Sequence, residues 1–180
     1  NSSQNIREWR RIIASFMPAI KKSSIFLITA AVLVGVDQWS KYEAMTKLGR
    51  SDAYPLIKNV LYFWYSENAG AAFGILQGKH IFFFIITIAV LTGILYLLFK
   101  LPNDRHYLPL LFCGSLIFAG AIGNFIDRVV RNYVVDFIYF KPVNFPIFNF
   151  ADICVTVGTF LLFLCLTFIY KEAELEFYKK

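Results

Sequence analysis

Four long apolar runs divide the chain: Ser23–Ser40, Ile81–Phe99, Leu108–Ile126 and Ile153–Tyr170. A bilayer span needs about 20 mostly apolar residues. In lipid, every backbone polar group must bond within its own segment, so each run predicts a transmembrane helix. Three of the runs carry no charge, and the first carries only Asp37. That first run follows Lys21 and Lys22, as the core of a signal peptide would. It is too long for one, holds an acid and lacks a small-residue cleavage site, so it is read as a helix.

Extended by their flanks, the spans cover 23–43, 80–100, 108–130 and 150–170. Tails at 1–22 and 171–180 and a loop at 101–107 then share one side of the membrane. Segments 44–79 and 131–149 share the other side. The first of these is not a plain linker. Val60-Leu61-Tyr62-Phe63-Trp64-Tyr65 is rich in strand formers and runs to a turn signal at Asn68-Ala69-Gly70. It predicts a small, partly β extramembrane cap lying on the membrane interface. Trp9 to Ile20 mixes basic and apolar residues and predicts a surface-lying amphipathic helix.

Composition agrees with a membrane protein. Hydrophobic residues make up 58% and charged residues 17%, against roughly half and a quarter in soluble domains. A chain of 180 residues has too little interior to hide that apolar surface. A disordered chain is excluded, and a soluble globular domain is not expected. The expected fold is a mainly α, integral membrane domain of four transmembrane helices with the partly β cap. Twenty Phe, ten Tyr and three Trp suit anchoring at the membrane interface. The first residue is Asn1 rather than Met, which leaves a processed end or an expression remnant as readings.

The net charge of +6 flanks the apolar runs and forms no stripe, so no nucleic-acid partner is expected. Basic residues are nearly balanced between the two sides. The cluster Arg7, Arg10, Arg11, Lys21 and Lys22 before the first helix places the termini in the cytoplasm. Cys113, Cys154 and Cys165 lie within apolar runs without a CxxC, and read as packing or lipid-facing residues.

The acids then draw attention. Asp37, Asp127, Asp136 and Asp152 sit at or near the ends of apolar runs, where charge is costly and usually functional. Span parity alone brings all four to one face of the membrane. Asp37 and Lys41 are four apart on one helical face, a favourable pair; a salt bridge fixing the helix end is the plainer role for Asp37. Gly120, Asn124 and Arg128 recur at helical spacing. Gly120 permits close helix approach, and the other two could bond a substrate backbone. Asp127 adjoins Arg128 and reads equally well as its structural counter-ion. Asp136 follows Val134-Val135 and precedes Phe137-Ile138, so desolvation should raise its pKa. Asp152 stands before an uncharged span, with a helix-capping role as its plainer alternative. Two desolvated carboxylates close together can share one proton, one acting as base and the other as acid.

Other chemistries fit poorly. His80 and His106 fall on opposite faces, and neither HExxH nor GxSxG occurs. Ser40 and Lys41 point about 100° apart on a helix and make a poor nucleophile–base pair. No metal site or cofactor is expected. On the residues alone, a membrane hydrolase, an ion-handling transporter or channel subunit, and a non-enzymatic assembly factor stay open. A transporter predicts acids spread through membrane depth rather than gathered at one face.

The chain resembles the lipoprotein signal peptidase, or signal peptidase II, family. The matching pieces are Asp37-Gln38-Trp39-Ser40-Lys41, Asn68-Ala69-Gly70-Ala71-Ala72-Phe73, Gly120 to Arg128, Val134-Val135-Asp136-Phe137, and Phe145 to Asp152. They occur in the family's order. The resemblance implies an aspartyl endopeptidase of the bacterial inner membrane with its site at the outer face. It implies that signal peptides are removed from diacylglyceryl-modified prolipoproteins by cleavage before the lipidated cysteine. Asp136 and Asp152 match the catalytic pair. Asn68, Gly120, Asn124, Arg128, Asn149 and Ala151 match substrate-binding or site-lining positions. Asp37 and Lys41 match a supporting pair, and Asp127 a structural acid. Membrane lipids and globomycin-type inhibitors are the further partners it implies.

Overall fold

The computed structural model describes residues 2–49, 52–70 and 80–179, and within them the side chains of 22–49, 52–70 and 81–177. Helix α1 spans Ser2–Lys47, α2 His80–Lys100, α3 Leu108–Arg131, α4 Phe150–Leu164 and the short α5 Glu172–Leu175. Strands β1 (Tyr54–Ile57), β2 (Leu61–Asn68) and β3 (Val134–Phe140) complete the fold. Among the described residues, four helical stretches have the length and apolar composition to cross a membrane: Lys22–Lys47, Ile81–Lys100, Arg105–Arg131 and Phe150–Ile169. The fold is thus mainly helical and integral to a membrane.

One expectation changes at the start of the chain. The backbone is helical without a break from Ser2 into the first span, so Trp9 to Ile20 continues α1 instead of forming a separate surface-lying helix. Ala, Arg, Lys and Ile around Pro18 are adequate helix formers, and the helix continues through Pro18 although that residue has no N–H to donate to the preceding turn. The side chains of this stretch lie outside the described residues.

The central element is α3, which packs against α1, α2 and α4. Pro109 in its first turn suits a helix start. At its other end Asn132 adopts φ 64° and closes the last turn onto the Arg128 carbonyl. Two glycines set how near its neighbours come. A Cβ on Gly120 would collide with the Ala151 carbonyl of α4, and one on Gly123 with the Asp37 carboxylate of α1. Cys113, Cys154 and Cys165 are buried free thiols and serve as packing residues.

The cap is built from both extramembrane segments. The sheet order is β1-β2-β3, with both pairings antiparallel. β2 and β3 register Ser66 against Asp136 and Asn68 against Val134. Burying Val135 and Phe137 against Ala44 of α1 fixes the sheet to the bundle. At the other end, Tyr107 Oη donates to Glu174 O at 2.9 Å and Tyr170 Oη to His106 O at 2.6 Å. Phe177 joins the core of Phe26, Leu101 and Leu111 there.

Candidate active site

The four acids singled out from the sequence converge at the sheet end of the bundle, where a single polar network joins them. Lys41 lies at its centre and is wholly buried. Its Nζ reaches Asp37 Oδ2 at 2.9 Å, Asp127 Oδ2 at 3.1 Å and Asn124 Oδ1 at 2.9 Å. An ammonium carries three donors, so all three are used. A buried charge is tolerable only when paired in this way.

The two carboxylates beside Lys41 tie the helices together. Asp37 Oδ1 accepts the Ala151 N–H at 2.9 Å, which satisfies an otherwise free donor in the first turn of α4. Asp127 Oδ1 accepts from Arg131 at 2.7 Å, and its Oδ2 accepts the Val135 N–H at 3.0 Å. The expected pairing of Asp127 with Arg128 is therefore corrected. Residues four apart share a helix face while neighbours diverge, so Arg131 and Lys41 are its partners. Through Val135, Asp127 also holds the strand that carries Asp136.

Asp136 and Asp152 reach the site from different elements and share one residue. Asp136, on β3, is 3% exposed. Its Oδ2 accepts from Asn68 Nδ2 at 2.9 Å and its Oδ1 from Asn149 Nδ2 at 2.7 Å. Asp152 occupies the first turn of α4 and forms a capping box with Asn149. The Asp152 N–H donates to Asn149 Oδ1 at 3.0 Å, and the Asn149 N–H donates to Asp152 Oδ2 at 3.1 Å. The N-cap is thus Asn149 and not, as weighed from the sequence, Asp152; Asp152 is the third residue of the capping box, and its Oδ1 also accepts from Asn124 Nδ2 at 2.8 Å. Burial, helped by the charge of Asp152, pushes the Asp136 carboxyl up to about 7. Bonds from Asn68 and Asn149 and the charge of Lys41 oppose that rise.

The remaining positions divide into frame and rim. Asn124 accepts from Lys41 and from Asn149 Nδ2, the latter at 3.1 Å, and donates to Asp152. Its side chain is occupied inside the protein rather than offered to a ligand, because Lys41 and Asp152 sit within its reach. Arg128 donates to the Asn124 and Gly70 carbonyls, both at 3.3 Å, and lies 4.6 Å from the Phe83 ring centroid. Gly70 is itself held by its N–H on Asn68 Oδ1 at 2.9 Å. Gly120 and Ala151 contribute close backbone packing. Residues Ala71 to Lys79, which include part of one matched motif, lie outside the described residues, as does the His80 side chain. His106 pairs with Glu174 at 3.1 Å, at the opposite end of the bundle.

Several contributors were not singled out from the sequence. Gln38 Nε2 reaches Asp37 Oδ2 at 3.0 Å, Gly123 O at 3.2 Å and Asp127 Oδ1 at 3.3 Å. Its place beside Asp37 was the only local signal. Gly123 lies three residues after Gly120, a spacing that marks one helix face. Phe83 stands in a uniform apolar run and gave no signal. Among the described residues no three His, Cys, Asp or Glu side chains gather as metal ligands.

Comparison with known proteins agrees with this architecture. The family described as Signal peptidase (SPase) II matches residues 29–168. A lipoprotein signal peptidase of Halalkalibacterium halodurans is 45% identical over 143 residues, covering 78% of this chain and 90% of that protein. One from Enterococcus faecalis is 41% identical over 150 residues, covering 83% and 92%. A solved bacterial membrane enzyme superposes with a TM-score of 0.74 at 39% identity, covering 83% of this chain and 93% of the other. Its sequence, its four spans and its capping sheet agree in one assignment: the chain belongs to the signal peptidase II family.

Proposed function

We propose that the chain is an aspartic endopeptidase that cleaves diacylglyceryl-modified prolipoproteins on the N-terminal side of the lipidated cysteine, with Asp136 and Asp152 as acid and base. The observation that carries this reading is the pair of carboxylates bridged by Asn149 at the sheet end of the bundle. An acid poised near 7 holds a proton for part of the time at neutral pH. Asp136 is therefore the proton donor and Asp152 the base.

The steps balance without an added reagent. Asp152 takes a proton from water, and the water oxygen bonds to the scissile carbonyl carbon. Asp136 delivers its proton to the carbonyl oxygen. Collapse of the tetrahedral species breaks the C–N bond: the leaving amine takes the proton held by Asp152, and one of the two hydroxyls returns a proton to Asp136, which leaves a carboxylic acid and restores both side chains. Positioned proton transfers of this kind contribute about 10²–10⁴-fold each. Arg128 and Asn68, at the rim of the site, orient the peptide backbone.

The membrane location follows from the substrate. Diacyl chains hold the cysteine at a leaflet surface, so the acids belong at that depth. We place the enzyme in the bacterial inner membrane with both termini cytoplasmic and the sheet at the outer face. Membrane lipids surround the spans, and globomycin-type inhibitors occupy the acid pair. The test is cleavage of a lipidated prolipoprotein by Asp136→Asn and Asp152→Asn variants in proteoliposomes. Both should fold and lose turnover. Near wild-type processing by either variant would refute the assignment.

A further inference from the structure

At the end of the bundle away from the acids lies a cavity of about 320 Å³. Phe26 of α1, Leu98 of α2, Leu111 and Ile117 of α3, Leu166 beyond α4, and Phe177 of the C-terminal segment are among its lining residues. Its wall is almost wholly apolar. A space this large has room for about ten waters at ~30 Å³ each, but each water needs two to four polar partners. The lining supplies almost none, so water is a poor filling. The space opens to the outside of the bundle, so an apolar guest can enter it from the surrounding lipid.

A cation stands beside the cavity. Lys22 Nζ donates to the carbonyl of Leu101, a lining residue, at 2.6 Å. That is its only acceptor among the described residues, so two of its three donors are open. Lys22 is half-buried, and Lys100 immediately precedes Leu101. An apolar cavity with a partly satisfied ammonium at its edge matches one molecule with both features. We infer that the cavity seats one acyl chain of an anionic phospholipid, whose phosphate completes the coordination of Lys22. The surrounding lipid supplies this guest continuously, and the C-terminal segment holding Phe177 forms one wall of its seat. The inference does not depend on which reaction the acids perform.

Gly114 allows the cavity to be filled directly. A Cβ there would meet Ile94 Cγ2 at 3.8 Å and Phe26 Cε2 at 3.9 Å, ordinary contact distances, so a Gly114→Leu side chain can grow into the space. Leu166→Phe fills it from the opposite wall if the first variant folds poorly. The experiment is native mass spectrometry of the full chain in mild detergent with phosphatidylglycerol or phosphatidylcholine. The wild type should retain one phosphatidylglycerol, and the filled variants should bind it about tenfold more weakly or worse. Lys22→Gln should erase the preference for phosphatidylglycerol over phosphatidylcholine while leaving prolipoprotein cleavage intact. Equal retention of both lipids by the wild type would overturn the inference. So would unchanged retention in a folded cavity-filled variant, or displacement of the lipid by a signal-sequence peptide.

Discussion

Asn149 donates its side-chain N–H to Asp136 Oδ1 across 2.7 Å while its backbone N–H caps the carboxylate of Asp152 across 3.1 Å. One buried amide residue thus sets the position of both candidate acids. Asn149→Ala removes a helix cap and leaves a buried carboxylate oxygen without its donor. The combined cost should be about 2–3 kcal/mol, read as a lowered midpoint in denaturant unfolding. The lost bond favours the ionised form, so the Asp136 pKa should climb further. An unchanged midpoint would show that the bridge contributes nothing.

The elevated Asp136 carboxyl predicts the pH dependence of both stability and rate. Its pKa rises from an ordinary 3.8 to about 7 on folding. Between those values the native state binds more protons than the unfolded state, so this group's effect is to lower stability as pH rises, levelling off above about 7. Asp136→Asn should remove that slope, and the variant should gain on the wild type across the window. If Asp136 is the donor, turnover should fall above about 7. A rate that stays flat well into the alkaline range would remove Asp136 from that role.

Lys41→Met should be among the most damaging single changes. It leaves Asp37 and Asp127 facing each other without the ammonium between them. Breaking a buried ion pair in this way costs about 3–5 kcal/mol. Asp37→Asn should cost less, because Lys41 keeps Asp127 and an Asn oxygen can still accept from Ala151. Thermal unfolding in detergent would give this order. Full stability with lost turnover in Asp37→Asn would move Asp37 from the frame to the chemistry.

Gly123→Ala tests whether helix spacing positions the acids. The new methyl would press on the Asp37 carboxylate, which in turn holds the Ala151 N–H at the start of α4. Overpacking of this kind costs about 1–3 kcal/mol. Cleavage should fall by more than the stability loss explains, since α4 carries Asp152. Wild-type cleavage by Gly123→Ala would show that α4 tolerates the shift.

Much of this fold was legible because run length and the absence of charge mark a span on their own. The gathering of Asp37, Asp127, Asp136 and Asp152 was legible for a similar reason, since span parity needs no coordinates. Hydrogen-bond partners were not. Asn124 reads as a residue for substrate because nothing in the sequence shows Lys41 and Asp152 on either side of it. The third strand was half visible, since the apolar stretch around Asp136 reads as strand-like while its pairing does not show. Val134–Phe140 pairs with Leu61–Asn68 across two intervening helices, a separation no local pattern encodes. Gln38 bonds to atoms 85 and 89 residues away, and its role depends wholly on how closely α1 and α3 approach.

The pairing of β2 with β3 also governs when a newly made chain becomes competent. Asn68 emerges from the ribosome well before Asp136, with α2 and α3 still to be threaded between them. Until the third helix has crossed, β2 has no inner partner and the acid of β3 has no seat. The seat of Asp136 is thereby assembled only after the chain has been made through β3.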